Sequence, residues 1–200
     1  MRRATETDPV DPAEEREWLV AARGGDARAF GKIVRVYQQR AYRAALAILG
    51  NGDDAWDLAQ DGFVRAFNHL EQYNVERPFY PWFHRLLRNL CLNHLRWKRR
   101  RREDSMEALE ESGGFLRADP AASPERVAEA TILGERISQA LRRLRPAARE
   151  ILVMREIQEL SYAEIATLLE IPKGTVMSRL HHARRALRVE LAAYAAEVMS

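Results

Sequence analysis

The sequence has almost no cysteine, and Cys91 is its single thiol among 200 residues. An intramolecular disulfide is therefore impossible, and a zinc site built on several cysteines is excluded. No stretch approaches the ~18 consecutive apolar residues of a membrane span, and the N-terminus lacks the apolar core of a secretory signal. We therefore expect a cytoplasmic protein that does not insert into a membrane.

Alternating β-branched runs, the usual sign of strands, are also sparse. Long segments instead repeat their apolar residues at the 3.6-residue period of a helix. Hydrophobic residues make up 46% of the chain and charged residues 30%, a composition typical of a folded globular protein. We therefore predict an all-α fold.

The net charge is only +3, but the charges are unevenly distributed. Residues 96–102 read RWKRRRR, and residues 179–188 add four arginines and two histidines. Acidic side chains collect between these two blocks, in residues 103–119. Basic blocks separated by an acidic connector suggest faces that bind a polyanion, although solvated helix surfaces would give the same pattern.

Helix start and stop signals divide the chain into two helical units. Four helices are predicted in residues 12–102, with Asp26 as the cap of the second, Gly50 as its stop, and Asp53 or Asp54 as the cap of the third. Residues 103–123 break every helical period and are predicted to form a flexible acidic linker. The second unit, residues 124–195, is predicted to contain helices near 124–144, 146–157, 161–169 and 173–194.

The second unit carries the pattern of a helix-turn-helix. Ser161 and Glu164 match the capping box that opens a short helix, and Val176 and Leu180 of the following helix are spaced to pack against it. The second helix of such a pair enters the major groove of DNA. The side chains predicted to reach bases or phosphates are Lys173, Thr175, Ser178, Arg179, His181, His182, Arg184 and Arg185.

The turn of this motif departs from the usual pattern, since Glu170 stands where glycine is common. A left-handed backbone there would cost a residue other than glycine about 1 kcal/mol. A purely structural helical hairpin is the alternative interpretation. The adjacent His181 and His182 could suggest a metal, but no third ligand is evident, so neither a metal site nor a cofactor is predicted.

Residues 79–102, FYPWFHRLLRNLCLNHLRWKRRRR, form a second informative segment. A helical wheel places Phe83, Leu86, Leu87 and Leu90 on its buried side. It places Arg85, Asn89, Asn93 and Arg96 in a polar stripe, with Trp82 at its head. Aromatic rings beside amides and arginines suit unpaired nucleic-acid bases, which stack or insert into pockets. Ordinary core packing with solvated asparagines would explain the same spacing.

Residues 53–67, DDAWDLAQDGFVRAF, form an acidic helix. Asp54, Asp57, Asp61 and Arg65 share one side, and Ala55, Ala59, Phe63 and Ala66 share the other. Such a ridge is either solvated surface or a docking site for a basic partner. It does not suit DNA, because phosphates would repel it.

Together these segments resemble bacterial RNA polymerase sigma factors of the extracytoplasmic-function (ECF, group IV) type. The resemblance rests on DLAQDGFVRAF, FYPWFHRLLRNLCLNHLR and LSYAEIATLLEIPKGTVMSRLHHARRAL, in that order. It implies sigma region 2 in residues 12–102, which docks on the polymerase and recognises and melts the promoter −10 element. It implies sigma region 4 in residues 124–195, whose helix-turn-helix reads the −35 element as duplex DNA.

The resemblance also assigns residues. It implies docking on the clamp of the largest polymerase subunit by Asp54, Asp57, Gln60 and Asp61. It implies contacts to the −10 element, partly as single-stranded DNA, by Trp82, Arg85, Asn89, Asn93, Arg96, Lys98 and Arg99. The further partners it implies are the flap of the second polymerase subunit and an anti-sigma factor. No catalytic residue belongs to such a protein, and it is not an enzyme.

Two other functions stay open at this level. A one-component transcriptional regulator with an N-terminal sensor would bind its operator tightly without a polymerase. A nucleic-acid enzyme using the aspartates as metal ligands would show a metal-dependent nuclease activity that Asp57→Ala abolishes.

Overall fold

A computed structural model describes the backbone of residues 10–104 and 124–198 and the side chains of residues 10–101 and 134–192. In these ranges the chain consists of α-helices with one 3-10 turn and one π-helical segment, and no strand occurs. The prediction of an all-α fold is confirmed. None of the described helices is long and apolar enough to cross a bilayer.

The first unit contains four helices, as predicted: α1 (Pro12–Arg23), α2 (Ala27–Leu49), α3 (Gly52–Asn68) and α4 (Phe79–Asp104). Asp26 caps α2 by accepting hydrogen bonds from the amides of Arg28 at 2.8 Å and Ala29 at 3.2 Å. Gly50 ends α2 in the left-handed conformation, with φ of 78°. The predicted stop and cap of α2 are thus both confirmed.

The cap of α3 is Asn51, and the prediction of Asp53 or Asp54 was wrong. The Asn51 side-chain oxygen accepts a hydrogen bond from the amide of Asp54 at 2.9 Å. An asparagine oxygen is as good an acceptor at this position as an aspartate. The helix therefore starts at Gly52, and both aspartates lie in its first turn, where the helix dipole favours negative charge.

The core of the first unit is aromatic. The ring of Phe83 stacks on Phe63 with centroids 4.3 Å apart and on Phe79 with centroids 5.4 Å apart. The buried carboxylate of Glu15 ties α1 to this cluster, since it accepts hydrogen bonds from the Tyr37 hydroxyl and from the amide of Phe79. The start of α4 is therefore fixed from two sides.

The second unit comprises α5 (Pro124–Arg143), α6 (Pro146–Leu152), the π-helical segment (Val153–Ile157), α7 (Tyr162–Leu169) and α8 (Lys173–Val198). The helix predicted over 146–157 changes to π geometry after Leu152, where the amide of Gln158 bonds the carbonyl of Val153 at 2.9 Å. Most of the predicted linker, residues 105–123, lies outside the described residues, while residues 103 and 104 continue α4.

The two units touch each other. α6 and the π-helical segment pack against α2, and α7 packs against α4. Buried side chains from both units belong to one continuous apolar core.

Candidate nucleic-acid and polymerase interfaces

α7 and α8 form the predicted helix-turn-helix. The Ser161 hydroxyl accepts from the amide of Glu164 at 3.2 Å, and the Glu164 carboxylate accepts from the amide of Ser161 at 2.8 Å. The hydrogen bonds that Ser161 donates to the Glu164 carboxylate lower the pKa of that carboxyl. On α8, Val176, Leu180 and Ala183 are at most 2% exposed, so this side of the helix is the buried one.

Glu170 adopts the left-handed conformation expected for the turn, with φ of 54° and ψ of 43°. Its amide bonds the carbonyl of Ala166, and the amide of Ile171 bonds the same carbonyl at 3.1 Å. This geometry ends α7 and starts α8 three residues later. The chain thus builds the turn without glycine, at the conformational cost that the sequence suggested.

The outer face of α8 is solvent-accessible. The predicted contact residues that are exposed on it are Lys173, Ser178, Arg179, His181, His182 and Arg185, and Thr175 is half-buried. The rings of His181 and His182 lie edge to face with centroids 5.6 Å apart. Donors, acceptors and cations alternate along this face, which is the mixture that base edges and phosphates require.

Arg184 differs from the other predicted contacts because it points to the α6 side. Its Nε and Nη2 atoms donate to Glu156 at 3.1 and 2.7 Å. Arg184 and Glu156 line an open groove with Leu152, Leu187 and Leu191. The ion pair draws Arg184 away from the face that carries His181 and Arg185.

The predicted polar stripe of α4 is present. Arg85, Asn89, Asn93 and Arg96 are all exposed, and Arg96 donates to the side-chain oxygen of Asn93 at 2.9 Å. Trp82, at the head of the stripe, is half-buried with its ring 4.7 Å from Tyr73 and 5.7 Å from Phe79, measured between centroids. Arg85 forms an ion pair with Glu170 of the helix-turn-helix turn.

The buried side of α4 is wider than predicted. Phe83 and Leu87 are fully buried, whereas Leu86 and Leu90 are only half-buried. Four further buried residues of α4 were not predicted, namely Phe79, Tyr80, His84 and Cys91. Helical spacing alone does not predict that a histidine and a cysteine at positions 84 and 91 are buried.

His84 is 1% exposed, and neither ring nitrogen has a hydrogen-bond partner among the described residues. Burial, together with the positive charges of the nearby Arg88 and Arg40, lowers the pKa of His84 to about 3. The ring is therefore neutral at any physiological pH. Burial, with a contribution from Glu150, raises the pKa of the Cys91 thiol to about 12.

The acidic ridge of α3 includes one residue, Asp54, that binds α4, while its other polar residues are exposed or paired within α3. Asp57 and Gln60 are exposed, and Asp61 pairs with Arg65 at 2.9 Å. Asp54 instead accepts a hydrogen bond from Lys98 of α4 and lies 3.5 Å from His94 Nε2. Asp54 and Lys98, predicted to contact the polymerase and DNA respectively, thus bind each other in this structure.

Two apolar residues on the same ridge were missed. Trp56 is 41% exposed and Val64 is 59% exposed, and they flank Asp57 and Gln60. The Trp56 ring packs edge-on against Tyr42 of α2, with centroids 5.6 Å apart. An exposed tryptophan held by a neighbouring ring is a common feature of protein-binding surfaces.

Comparison with known proteins matches each unit to a described family. The model for Sigma-70 region 2 matches residues 33–101, and the model for Sigma-70, region 4 matches residues 134–187. The ECF RNA polymerase sigma factor SigW of Bacillus subtilis is 33% identical over 170 residues, covering 84% of this chain and 91% of that protein. The ECF RNA polymerase sigma factor SigE of Mycolicibacterium smegmatis is 36% identical over 202 residues, covering 98% of this chain and 76% of that protein.

Solved structures share the fold. CnrH, in complex with the cytosolic domain of CnrY, gives a TM-score of 0.63 at 24% identity, covering 90% of this chain and 98% of CnrH. The sigma factor RpoE of Bartonella quintana, in complex with the anti-sigma factor NepR, gives a TM-score of 0.66 at 22% identity, covering 83% of this chain and 98% of RpoE.

The chain belongs to the extracytoplasmic-function RNA polymerase sigma factors. It is a transcription initiation factor that binds core RNA polymerase and promoter DNA, and it is not itself an enzyme.

Proposed function

We propose that three exposed surfaces have separate binding roles in transcription initiation. The ridge of α3 docks on the clamp of the largest polymerase subunit, the polar stripe of α4 recognises and melts the −10 element, and α8 reads the −35 element. The second unit also meets the flap of the second polymerase subunit. The observation that carries this proposal is the pairing, on both α4 and α8, of a polar outward face with a buried apolar face.

A helix that captures an unpaired base must be rigid, and α4 meets this requirement. Phe79, Phe83 and Leu87 are fully buried behind the stripe, so Asn89 and Asn93 project from a helix that is fixed along its length. Unstacking a base costs a few kcal/mol, which contacts to the extruded base must offset. Amide side chains of this kind pair with base edges, while Arg85, Arg96 and Arg99 suit the phosphates.

On α8, the central residues Ser178, His181 and His182 suit base edges in the major groove. Lys173, Thr175, Arg179 and Arg185 flank them and suit the phosphates on both sides. Arg184, paired with Glu156, contributes to DNA binding only if that pair exchanges for a phosphate.

On α3, the exposed Asp57 and Gln60 with the paired Asp61 form the polar part of the docking surface, and Trp56 supplies its apolar anchor. Asp54 acts differently, because it holds α4 through Lys98. The polymerase then holds the DNA-binding faces of α4 and α8 at the distance between the two promoter elements. Binding of one face to its element raises the effective concentration of the other face at its own element.

We further propose that an anti-sigma factor controls this protein. The solved RpoE relative is a complex with the anti-sigma factor NepR. The polar stripe of α4 and the outer face of α8 are exposed and basic, so a partner that covered them would prevent initiation. The proposed site of action is the cytoplasm, where core polymerase and the chromosome are found.

Removing the ridge charges tests the docking surface. The double variant Asp57→Ala/Asp61→Ala should bind core polymerase about ten-fold more weakly, which corresponds to about 1.4 kcal/mol. Its fold should be unchanged, because both residues lie on the exposed side of α3. The matched control, Glu17→Ala/Glu71→Ala, removes two exposed carboxylates elsewhere and should bind normally. Equal binding by both double variants, measured by titration of labelled protein with core polymerase, would refute the docking assignment.

A further inference from the structure

The residue that precedes α4 cannot cap that helix. It is Pro78, whose side chain has no hydrogen-bond acceptor. The first amides of a helix have no partner within the helix. Four other helices, α1, α2, α3 and α7, are capped by the side chain of the preceding residue, which is Asp11, Asp26, Asn51 or Ser161 respectively. The start of α4 therefore needs an acceptor from elsewhere in the chain.

Glu15 of α1 supplies this acceptor. Its Oε2 accepts a hydrogen bond at 3.2 Å from the amide of Phe79, which lies 64 positions later, and its Oε1 accepts one from the Tyr37 hydroxyl. Glu15 is only 8% exposed. Burial of a carboxylate is costly unless it is hydrogen-bonded, and the positive end of a helix dipole favours it. Burial, followed by the hydrogen bond and charge of Glu15, raises the pKa of the Tyr37 hydroxyl, which therefore keeps the proton that it donates.

Phe79 connects the Glu15 contact to the head of the polar stripe. Its ring is fully buried, with centroids 5.8 Å from Tyr37, 6.0 Å from Tyr73 and 5.7 Å from Trp82. Tyr73 packs on the Trp82 ring as well, at 4.7 Å. The position of Trp82 therefore depends on how the first turn of α4 is held.

The loop before α4 is also attached to α1. Arg16, the neighbour of Glu15, forms an ion pair with Glu76. The loop is closed on itself by the Tyr73 hydroxyl, which donates to the carbonyl of Arg77. The side chains of Arg16 and Glu76 are both more than half exposed, and such pairs contribute little to stability. The buried carboxylate of Glu15 is therefore the stronger of the two attachments.

We propose that Glu15 is a positioning residue for melting of the −10 element: it caps α4 from α1 and so fixes Trp82 and the first turn of the stripe against the extruded base. Glu15 acts without touching DNA, because it is buried and phosphates would repel its charge. The Sigma-70 region 2 model matches residues 33–101, so Glu15 lies outside the matched residues. The inference rests on the proposed function for the role of α4.

The experiment measures promoter binding and promoter melting separately. Each variant is assembled with core polymerase on promoter DNA. Protection of the −35 element reports binding, and the rate at which −10 thymines become reactive to permanganate reports melting. A loss of folded protein lowers both signals together, whereas a misplaced α4 start lowers only the second. Circular dichroism establishes that each variant is folded at the assay temperature.

Three substitutions of Glu15 separate its reach from its charge. Glu15→Ala removes the acceptor. Glu15→Gln keeps an oxygen at the same distance from the main chain, which can accept from the Phe79 amide while its NH₂ group donates to the Tyr37 oxygen. Glu15→Asp keeps the charge but is shorter by one methylene, so it cannot reach both partners.

Two controls lie on the same helix. Glu14→Ala removes an exposed neighbouring carboxylate, and Leu19→Ala truncates a fully buried side chain. The second control destabilises α1 without removing the cap of α4.

Glu15→Ala should melt the −10 element about ten-fold more slowly at unchanged −35 protection, because a hydrogen bond to a charged group is lost. Glu15→Gln should melt it at nearly the wild-type rate, and Glu15→Asp should be slow. Glu14→Ala should match the wild type, and Leu19→Ala should lower the thermal midpoint without a selective loss of melting.

Normal melting by a folded Glu15→Ala would overturn the inference. A selective melting defect of equal size in Leu19→Ala would do the same, since the stability of α1 would then be the cause. If Glu15→Ala does not fold, the other two substitutions decide: equal melting rates for Glu15→Gln and Glu15→Asp would refute the requirement for reach.

Failure of the inference and failure of the proposed function give different results. Normal melting in the Glu15 variants, with a defect in Asn89→Ala, would refute the inference alone. A defect in Glu15→Ala that Glu15→Gln rescues, with normal melting in Asn89→Ala, would support the positioning role and refute the proposed role of the stripe.

Discussion

The two candidate DNA-reading helices, α4 and α8, have the same length of 26 residues but are held very differently. α4 buries six side chains to 3% exposure or less: Phe79, Tyr80, Phe83, His84, Leu87 and Cys91. Among the side chains of α8 that the structure describes, residues 173–192, three are buried to this level, namely Val176, Leu180 and Ala183. A helix that must hold an unpaired base against restacking needs a rigid support, whereas one that enters an existing groove needs mainly a correctly presented face.

The largest expected effect is the loss of stability when a core side chain of either helix is truncated. Phe83→Ala should lower the free energy of unfolding by about 4 kcal/mol, because its stacked ring leaves a cavity between α3 and α4. Leu180→Ala should cost about 3 kcal/mol and should loosen the second unit. Urea denaturation followed by circular dichroism measures both, with the exposed Asn89→Ala as a control that changes little. A larger loss for Leu180→Ala would reverse the comparison.

The next effect uses the buried histidine of α4. Below pH 6.5 the unfolded chain takes up a proton on His84, while the folded protein, with a pKa of about 3, does not. Stability should therefore fall as the pH decreases from 6.5 towards 3, by up to about 1.4 kcal/mol per pH unit. The charged groups that act on the ring are Arg88 and Arg40, and both oppose its protonation.

The check is a set of denaturation curves across that pH range. His84→Leu should lose this part of the acid sensitivity, whereas His181→Leu, which replaces an exposed ring on α8, should retain it. Parallel pH profiles for the wild type and His84→Leu would show that His84 does not take up its proton on unfolding.

A smaller effect concerns the turn at Glu170 between α7 and α8. Glu170→Gly relieves the left-handed strain and should stabilise the second unit by about 1 kcal/mol. Glu170→Ala removes the same carboxylate and its pair with Arg85 but keeps the strain, so it serves as the matched control. The difference between the thermal midpoints of the two variants measures the relieved strain less the larger conformational entropy that glycine loses on folding. Identical midpoints would contradict the conformational argument.

The smallest effect separates phosphate contacts from base contacts on α8. Arg179→Ala should weaken holoenzyme binding to all −35 sequences and reduce the slope of log K against log salt concentration by about one. Met177→Ala, the exposed but uncharged neighbour, should leave the slope unchanged. Loss of binding to a single −35 sequence with no change in slope would instead make Arg179 a base-reading residue.

Sequence reasoning succeeded where local chemistry determines the structure. The capping box of Ser161 and Glu164, the stop at Gly50 and the left-handed turn at Glu170 were all predicted, because each depends on residues within a few positions. The Asn51 cap was missed because three neighbouring residues could each accept the same hydrogen bonds.

Contacts between distant parts of the chain were not predictable in this way. Nothing near Arg149 in the sequence indicates that it binds carbonyls about a hundred positions earlier in the chain, and nothing near Asp54 indicates that Lys98 would neutralise it. His84 and Cys91 occupy helical positions that polar residues would equally fit. Their burial follows from how α2 and the second unit pack on α4, which only the tertiary structure shows.

The central claim is that core polymerase makes α4 and α8 act together on one promoter. Permanganate footprinting of unpaired thymines tests it most directly, with promoter DNA, core polymerase and either the wild-type chain or Asn89→Ala. The account predicts −10 reactivity only when chain and polymerase are both present, and loss of that reactivity in Asn89→Ala while −35 protection persists. Firm protection of duplex DNA by the chain alone, with no reactivity when polymerase is added, would contradict it.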